Sequence, residues 1–271
     1  MTKPQVVVSG GTGFIGQHIV PLLLKDDFEV VVIGRDGNKA KQFHWHSKVE
    51  FISCDYHREE LHFKPKPDAS LIHLAWQGLP NYDSLFHIEE NLPKNFEFIK
   101  RLVDSGVTKI LAVGTCLEYG LQYGPLATSF PAKPGTTYAI AKDRLRQKLS
   151  YPQTKYILQW ARLFYMYGVG QNSKSILAQL DAAIDRDEPV FNMSGGEQLR
   201  DYLPVEEVAN QLLNIFNHEA SGVFNVCSGE PISIRRLVER RIKERNASIR
   251  MNLGYYPYTD FEPMAFWGKK Q

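Results

Sequence analysis

Up to about residue 165, short runs of aliphatic and β-branched residues alternate with longer stretches whose apolar positions recur every three or four residues. This pattern predicts strands over Gln5–Ser9, Glu29–Ile33, Val49–Ser53, Ser70–Ala75, Lys109–Val113 and Tyr156–Leu163. It predicts helices over Phe14–Lys25, Ser84–Asp104 and Tyr138–Leu149, with Pro21 expected to kink the first or stop it early. Runs such as Val6–Val8 carry no polar alternation, as expected of strands buried on both faces of a parallel sheet. The expectation is an α/β, doubly wound parallel sheet. After about Gly168 the rhythm changes. A helix at Ser175–Arg186, strands near Val190–Phe191 and Gln198–Leu203, a helix at Val205–Asn217, the strand Val223–Val226, a basic helix Ser233–Arg245 and an aromatic tail follow. We therefore divide the chain into a dinucleotide-binding part, 1–165, and a smaller substrate-facing lobe, 166–271, interleaved with the sheet.

Composition narrows the class of protein. The 271 residues are 43% hydrophobic and 12% aromatic, enough for a real core and against disorder. With 32 basic and 30 acidic side chains, a net charge of +2 gives no electrostatic case for nucleic acid or a membrane surface. The apolar stretches are far shorter than the roughly 18 residues of a spanning helix, and no leader peptide is readable. Cys54, Cys116 and Cys227 are scattered, which suits a reducing, cytoplasmic setting and offers neither a disulfide framework nor a zinc site. His44, His46, His57 and His62 lack metal-ligand spacing, so no metal is expected.

The first chemical signal is Gly10-Gly11-Thr12-Gly13-Phe14-Ile15-Gly16, directly after the first strand. Here the chain must reverse, let a pyrophosphate approach the backbone and pack helix on strand, and each step excludes a Cβ. The N–H groups at Phe14 and Ile15 then face the anion. The second strand runs into Gly34-Arg35-Asp36 and does not end on an acid that would take a ribose. The Arg35 guanidinium suits a 2′-phosphate, which favours NADP(H) over NAD(H), although Asp36 could still take the ribose. Asp55 and the adjoining Tyr56 are expected at the adenine end, with a simple helix cap as the other reading of Asp55.

The second signal is a trio. Tyr138 and Lys142 lie four apart on one helical face, beyond Thr115 at the end of the fifth strand, where open α/β sheets bind ligands. A Tyr-x-x-x-Lys pair arises readily by chance, and Tyr151 to Lys155 is a second one, but Pro152 excludes a helix there. A phenol titrating near 10 is a poor proton donor at neutral pH, and a neighbouring ammonium is expected to lower that value. Tyr138 would then exchange a proton with a carbonyl or carbinol oxygen, while Thr115 donates a hydrogen bond to the same oxygen.

Together these segments resemble the extended short-chain dehydrogenases/reductases of the nucleotide-sugar epimerase/dehydratase type, over nearly the whole chain. The resemblance rests on Gly10–Gly16, His73-Leu74-Ala75, Asn91, Thr115-Cys116-Leu117-Glu118-Tyr119-Gly120, Tyr138 with Lys142, Arg162–Gly168, Arg200–Val205 and Val223–Val226. It implies a Rossmann-like fold, Leu74 and Ala75 beside the cofactor, and Lys142 on the nicotinamide ribose. It further implies Trp76, Cys116, Tyr165 and Asn172 around the substrate, and Arg200 on the diphosphate, with a salt bridge to Asp201 or Glu207 as the structural alternative for Arg200. Cys116 and Leu117 stand where 4,6-dehydratases of the family carry Asp-Glu, so dehydration is not expected. Nor does a cysteine stand two residues past Thr115, where the family's 3,5-epimerase/reductases have one. The implied reaction is NAD(P)H-dependent reduction of the C4 ketone of a nucleotide-linked 4-keto-6-deoxyhexose, a step in making surface-polysaccharide sugars such as those of O-antigen. An NAD-retaining nucleotide-sugar 4-epimerase is the alternative, and a non-catalytic dinucleotide-sensing regulator a lesser one. The resemblance also implies a homodimer through a four-helix bundle.

Overall fold

The structure is a computed structural model that describes residues 3–151 and 156–270. Its strands and helices, in chain order, are β1 (Gln5–Ser9), α1 (Gly16–Lys25), β2 (Glu29–Gly34), α2 (Gly37–Ala40), β3 (Glu50–Ser53), β4 (Ser70–His73), α3 (Leu92–Asp104), β5 (Lys109–Thr115), β6 (Gly124–Leu126) and α4 (Thr137–Leu149). Then follow β7 (Ile157–Leu163), β8 (Tyr165–Tyr167), α5 (Ile176–Asp185), β9 (Val190–Asn192), β10 (Leu199–Pro204), α6 (Val205–Asn217), β11 (Gly222–Val226), β12 (Pro231–Ser233), α7 (Ile234–Glu244), β13 (Arg250–Asn252) and β14 (Phe266–Gly268).

Seven strands form one parallel sheet in the order β11-β7-β5-β4-β1-β2-β3. Alternate residues of the buried runs serve opposite faces. Val6 and Val8 pack with Val30, Val32 and helices α1 and α6, whereas Val7 packs with Val31, Ile33 and helices α3 and α4. Both faces are thus covered, which is why central runs such as Val6–Val8 and Val30–Ile33 show no polar alternation. Leu102, fully buried on α3, illustrates the energetics: truncation to Ala would cost about 2–5 kcal/mol. From β1 the chain winds outward to β2 and β3, then returns to lay β4 on the other side of β1. The strand ends at that reversal open a crevice, and the glycine turn sits in it.

Helix α1 starts at Gly16 and continues through Pro21 to Lys25; Pro21 does not stop it. The ring removes one N–H from the ladder, yet the Asp26 N–H still reaches the Leu22 carbonyl at 3.0 Å. The segment expected as one helix from Ser84 begins instead as a π-helical turn, His87–Asn91, before α3. The Tyr151–Lys155 pair falls largely outside the described residues. Beyond β7, β8, β10 and β12 form a small second sheet, with its own apolar cluster around Leu180, Phe191, Leu237 and Val238. β11 and α6, although late in the chain, return to the large sheet. The basic run on α7 is spent on ion pairs: Arg235 with Glu239, Arg240 with Glu244, and Arg241 and Arg245 with Asp181.

Candidate active site

A cleft of about 720 Å³ opens over the C-terminal ends of the strands. Its floor at one end is the glycine turn. Gly10 has φ +78°, and a Cβ there would lie 2.9 Å from the Ala75 backbone nitrogen. At Gly16 a Cβ would meet the Gly10 carbonyl oxygen at 2.3 Å, so helix, turn and strand close on one another only with glycine. No side chain caps the N-terminus of α1 and no acidic residue lies in its first turn, leaving that positive end for an anion from elsewhere. Gly10, Thr12, Gly13, Phe14, Ile15 and Gly16 line the cleft, and Gly11 packs below it, where a Cβ would strike Val32. This cradle fits a dinucleotide pyrophosphate.

The same end is walled by Arg35, Lys39, Asp55, Tyr56, Leu74 and Ala75. Asp36, the alternative ribose acceptor, caps α2 by accepting the Lys39 N–H at 3.0 Å. Asp55 is not a helix cap: it sits in a turn, where its carboxylate accepts the His57 N–H at 3.2 Å. Tyr56 donates to Asn95 at 2.8 Å and stacks on Phe98. Asn95 also meets His73, whose other ring nitrogen pairs with Ser9. Burial pushes His73 down to about 3, and the Lys142 charge adds to that shift. His73 is therefore a neutral strut beneath the cofactor loop.

Thr115, Tyr138 and Lys142 converge in the middle of the cleft. The Thr115 side chain acts on the Tyr138 phenol in the direction that favours loss of its proton. Burial pushes Tyr138 upward, with Tyr82, Glu118 and Cys116 adding to the shift and Thr115 opposing it. This corrects the sequence expectation, because no charge from Lys142 lowers the phenol here. The Lys142 ammonium donates to the Val113 carbonyl at 2.9 Å and lies 4.0 Å from the centre of the Trp76 ring. Burial pulls it down to about 7, against the opposing charge of Glu118. Trp76 is thus a wall held in place: its indole N–H donates to His87, whose far nitrogen donates to the Asn81 carbonyl at 2.8 Å. Asn91 ties the same loop through the Gln77 carbonyl at 2.8 Å.

Cys116, Tyr165 and Asn172 also line the cleft. The Cys116 thiol is buried and strongly raised by desolvation, which makes it a packing group and not a nucleophile. Arg200 lies outside the lining, buried behind Glu262. Its guanidinium pairs with that carboxylate at 2.9 Å and donates to the Leu199 and Met264 carbonyls. The anticipated partners, Asp201 and Glu207, are not used. Asp201 accepts instead from the Ser228, Gly229 and Gly268 N–H groups, and Glu207 stands near Gln211. Glu262 also receives the Tyr165 hydroxyl.

Several cleft residues escape a reading of the sequence. Tyr82 packs its ring on Tyr138 and on Phe261, Lys39 and Lys174 add charge, and Glu262 reaches in from the tail. None has a local signature. Glu118 did have one, since Thr115-x-x-Glu118 is the spacing of a capping box.

The model of the NAD dependent epimerase/dehydratase family matches residues 6–227. The chain belongs to this family. Among curated relatives, it is 29% identical over 269 residues to the dTDP-6-deoxy-L-talose 4-dehydrogenase (NAD(+)) of Aggregatibacter actinomycetemcomitans, covering 98% of this chain and 99% of that one. It is 23% identical over 256 residues to the dTDP-4-dehydro-6-deoxyglucose reductase of Escherichia coli, covering 88% and 80%. Among solved structures, the UDP-N-acetylglucosamine 4-epimerase of Methanobrevibacter ruminantium superposes with a TM-score of 0.86 at 24% identity, covering 100% of this chain and 91% of that one. The UDP-glucuronic acid 4-epimerase of Bacillus cereus, solved with UDP-glucuronic acid and NAD, gives 0.80 at 19% identity, covering 98% and 90%. The fold is accordingly the Rossmann-like one of this family, and the chain is an enzyme of the NAD-dependent epimerase/dehydratase type.

Proposed function

We propose that the enzyme transfers hydride reversibly between a nicotinamide dinucleotide and C4 of a nucleotide-linked 6-deoxyhexose, in the direction of 4-ketone reduction. The observation that carries this reading is the meeting of Thr115, Tyr138 and Lys142 beside the glycine cradle in one cleft. When bound, the dinucleotide supplies the hydride. Tyr138, kept protonated by its burial, gives its proton to the ketone oxygen as charge develops there. Thr115 donates a hydrogen bond to that same oxygen, so the stabilisation grows with the developing charge. Lys142 grips the nicotinamide ribose and, once its ammonium turns from the Val113 carbonyl toward the phenol, favours loss of the Tyr138 proton. Trp76, Tyr82 and Leu79 give the cleft an apolar wall suited to a sugar lacking its 6-hydroxyl.

Two relatives support the sugar class by name, a dTDP-6-deoxy-L-talose 4-dehydrogenase and a dTDP-4-dehydro-6-deoxyglucose reductase. Cys116 and Leu117, neither of them an acid, stand at the positions after Thr115 where the family's dehydratases carry their extra acid–base pair. Arg35 and Lys39 at the adenosine end favour NADP(H) on charge, and the relative named for NAD(+) is the observation on the other side. Surface-polysaccharide sugars such as those of O-antigen are the proposed destination, and α3 with α4 the proposed homodimer face. The test is oxidation of NADPH and NADH against dTDP-, UDP- and GDP-linked 4-keto-6-deoxyhexoses. Turnover with at least one supports the reading. Interconversion of 4-epimers without added reductant would replace it with the epimerase reading that the two structural neighbours favour.

A further inference from the structure

Beneath Thr115 lies a charged pair that the proposed reaction leaves unused. Glu118 is wholly buried, and Arg162 on β7 is 3% exposed and donates to it through Nε at 2.8 Å. The Glu118 carboxylate also accepts the Thr115 backbone N–H at 2.9 Å and the Trp160 indole N–H at 3.0 Å. Thr115 reciprocates: its hydroxyl oxygen accepts the Leu117 N–H at 3.3 Å, closing a capping box over the short turn Cys116–Tyr119. Gly114 is shaped to this contact, since a Cβ there would fall 2.2 Å from both the Glu118 carboxylate and the Trp160 nitrogen. The Arg162 guanidinium lies over the Tyr119 ring, 4.4 Å from its centre.

A cap at the surface needs no buried charge, and a buried ion pair seldom outweighs the cost of desolvating it. Stability alone therefore does not account for a carboxylate at position 118. Its contacts point to the reacting group. With one face of the Thr115 oxygen filled by the Leu117 N–H, the hydroxyl proton is left for Tyr138 or for a substrate oxygen. The neighbouring residue Val113 receives the Lys142 ammonium, so both catalytic side chains are referenced to the same end of β5.

We propose that Glu118, neutralised in part by Arg162, is a positioning residue that fixes Thr115 as a hydrogen-bond donor and presents a negative charge to Lys142. The groups around Lys142 agree with that role: His73 on β4 and His87 on the π-helical turn are held neutral by burial, Tyr138 is a protonated phenol, and Glu118, raised by burial against the opposing Arg162 charge and its N–H donors, is the one acid acting on it among the described residues. Removing that acid makes Lys142 lose its proton at a lower pH.

The inference rests on the reductase reading only for its kinetic arm. Glu118→Gln keeps the shape and an acceptor for Thr115 but removes the charge. The Glu118→Gln/Arg162→Met double variant also spares the protein an unpaired buried arginine. We expect both to cut kcat at least tenfold, to leave the sugar KM within about threefold, and to move the alkaline limb of the kcat profile to lower pH. In a Thr115→Val background, assayed below the alkaline limb where Lys142 keeps its proton, the further loss from Glu118→Gln should be under threefold, because only the route through Thr115 acts there. A full additional loss there, or an unmoved alkaline limb in both folded variants, overturns the proposal. The second arm needs no substrate: amide hydrogen exchange at Thr115 and Leu117 should be faster in Glu118→Val than in wild type, measured against exchange in β1. Unchanged exchange overturns the positioning role even for an enzyme that reduces no keto-sugar. Wild type inactive on every keto-sugar, with exchange altered as expected, would overturn the reductase reading and leave this one standing.

Discussion

The two ends of the cleft are built by different means. At the cofactor end the shape is made by backbone: the seven consecutive positions Gly10–Gly16, a helix terminus without a cap and glycines that nothing larger can replace. At the substrate end it is made by side chains brought together from far apart. Tyr165 meets Glu262 across 97 residues, and Arg200 meets the same carboxylate across 62. A backbone site is written in adjacent letters, whereas a side-chain site is assembled by the fold. This contrast marks where sequence reasoning succeeds and where it ends, and it can be broken experimentally.

The largest effect belongs to the junction between the two ends. Tyr138→Phe should lower kcat by about 10²–10⁴-fold while dinucleotide binding, followed by fluorescence, stays within twofold. A variant retaining wild-type turnover would remove Tyr138 as proton donor. At the cofactor end, Gly16→Ala should abolish dinucleotide binding in calorimetry, because the added carbon meets backbone at 2.3 Å. At the substrate end, Glu262→Gln leaves Arg200 buried without its anion, and the sugar KM should rise about tenfold with kcat nearly constant. A fall in KM would instead show that Glu262 competes with the substrate for Arg200. A smaller shift tests the adenosine pocket. Replacing Arg35 and Lys39 together with Ala should lower the NADPH-to-NADH ratio of kcat/KM about tenfold, and an unchanged ratio would remove the case for a 2′-phosphate.

The gentlest test concerns His73 beneath the cofactor loop. Its folded value near 3 lies below the unfolded one of about 6.5, so the unfolded chain binds the extra proton first. Stability is therefore fully present above pH 6.5 and falls as pH drops from there toward 3. Thermal melts should show that slope, and His73→Asn should flatten it while lowering stability at neutral pH. Equal slopes in both proteins would assign the acid sensitivity elsewhere.

Much of the large sheet was legible because strands such as Val6–Val8 are apolar on both faces and their length limits them to strands. The glycine turn was legible for the reason already given, and Thr115, Tyr138 and Lys142 because chemistry demands those types near a strand end. The π-helical turn at His87–Asn91 was not, since it differs from an α-helix by one backbone register and leaves the apolar spacing nearly intact. The direction of the Tyr138 shift is not legible in the sequence for a related reason. Sequence puts Lys142 one turn away but cannot say that the Val113 carbonyl and Trp76 ring claim its ammonium. Arg200 stands in a recognisable motif, whereas its partner Glu262 arrives on a segment with no periodic pattern.

The most direct test follows the hydrogen itself. Wild-type enzyme given 4-deuterated reduced dinucleotide of the matching face and a dTDP-4-keto-6-deoxyhexose should place one deuterium on C4 of the sugar for each dinucleotide oxidised, read together by mass spectrometry and absorbance. Sugar 4-epimers that interconvert without label and without net dinucleotide oxidation would contradict a reductase built on this cleft.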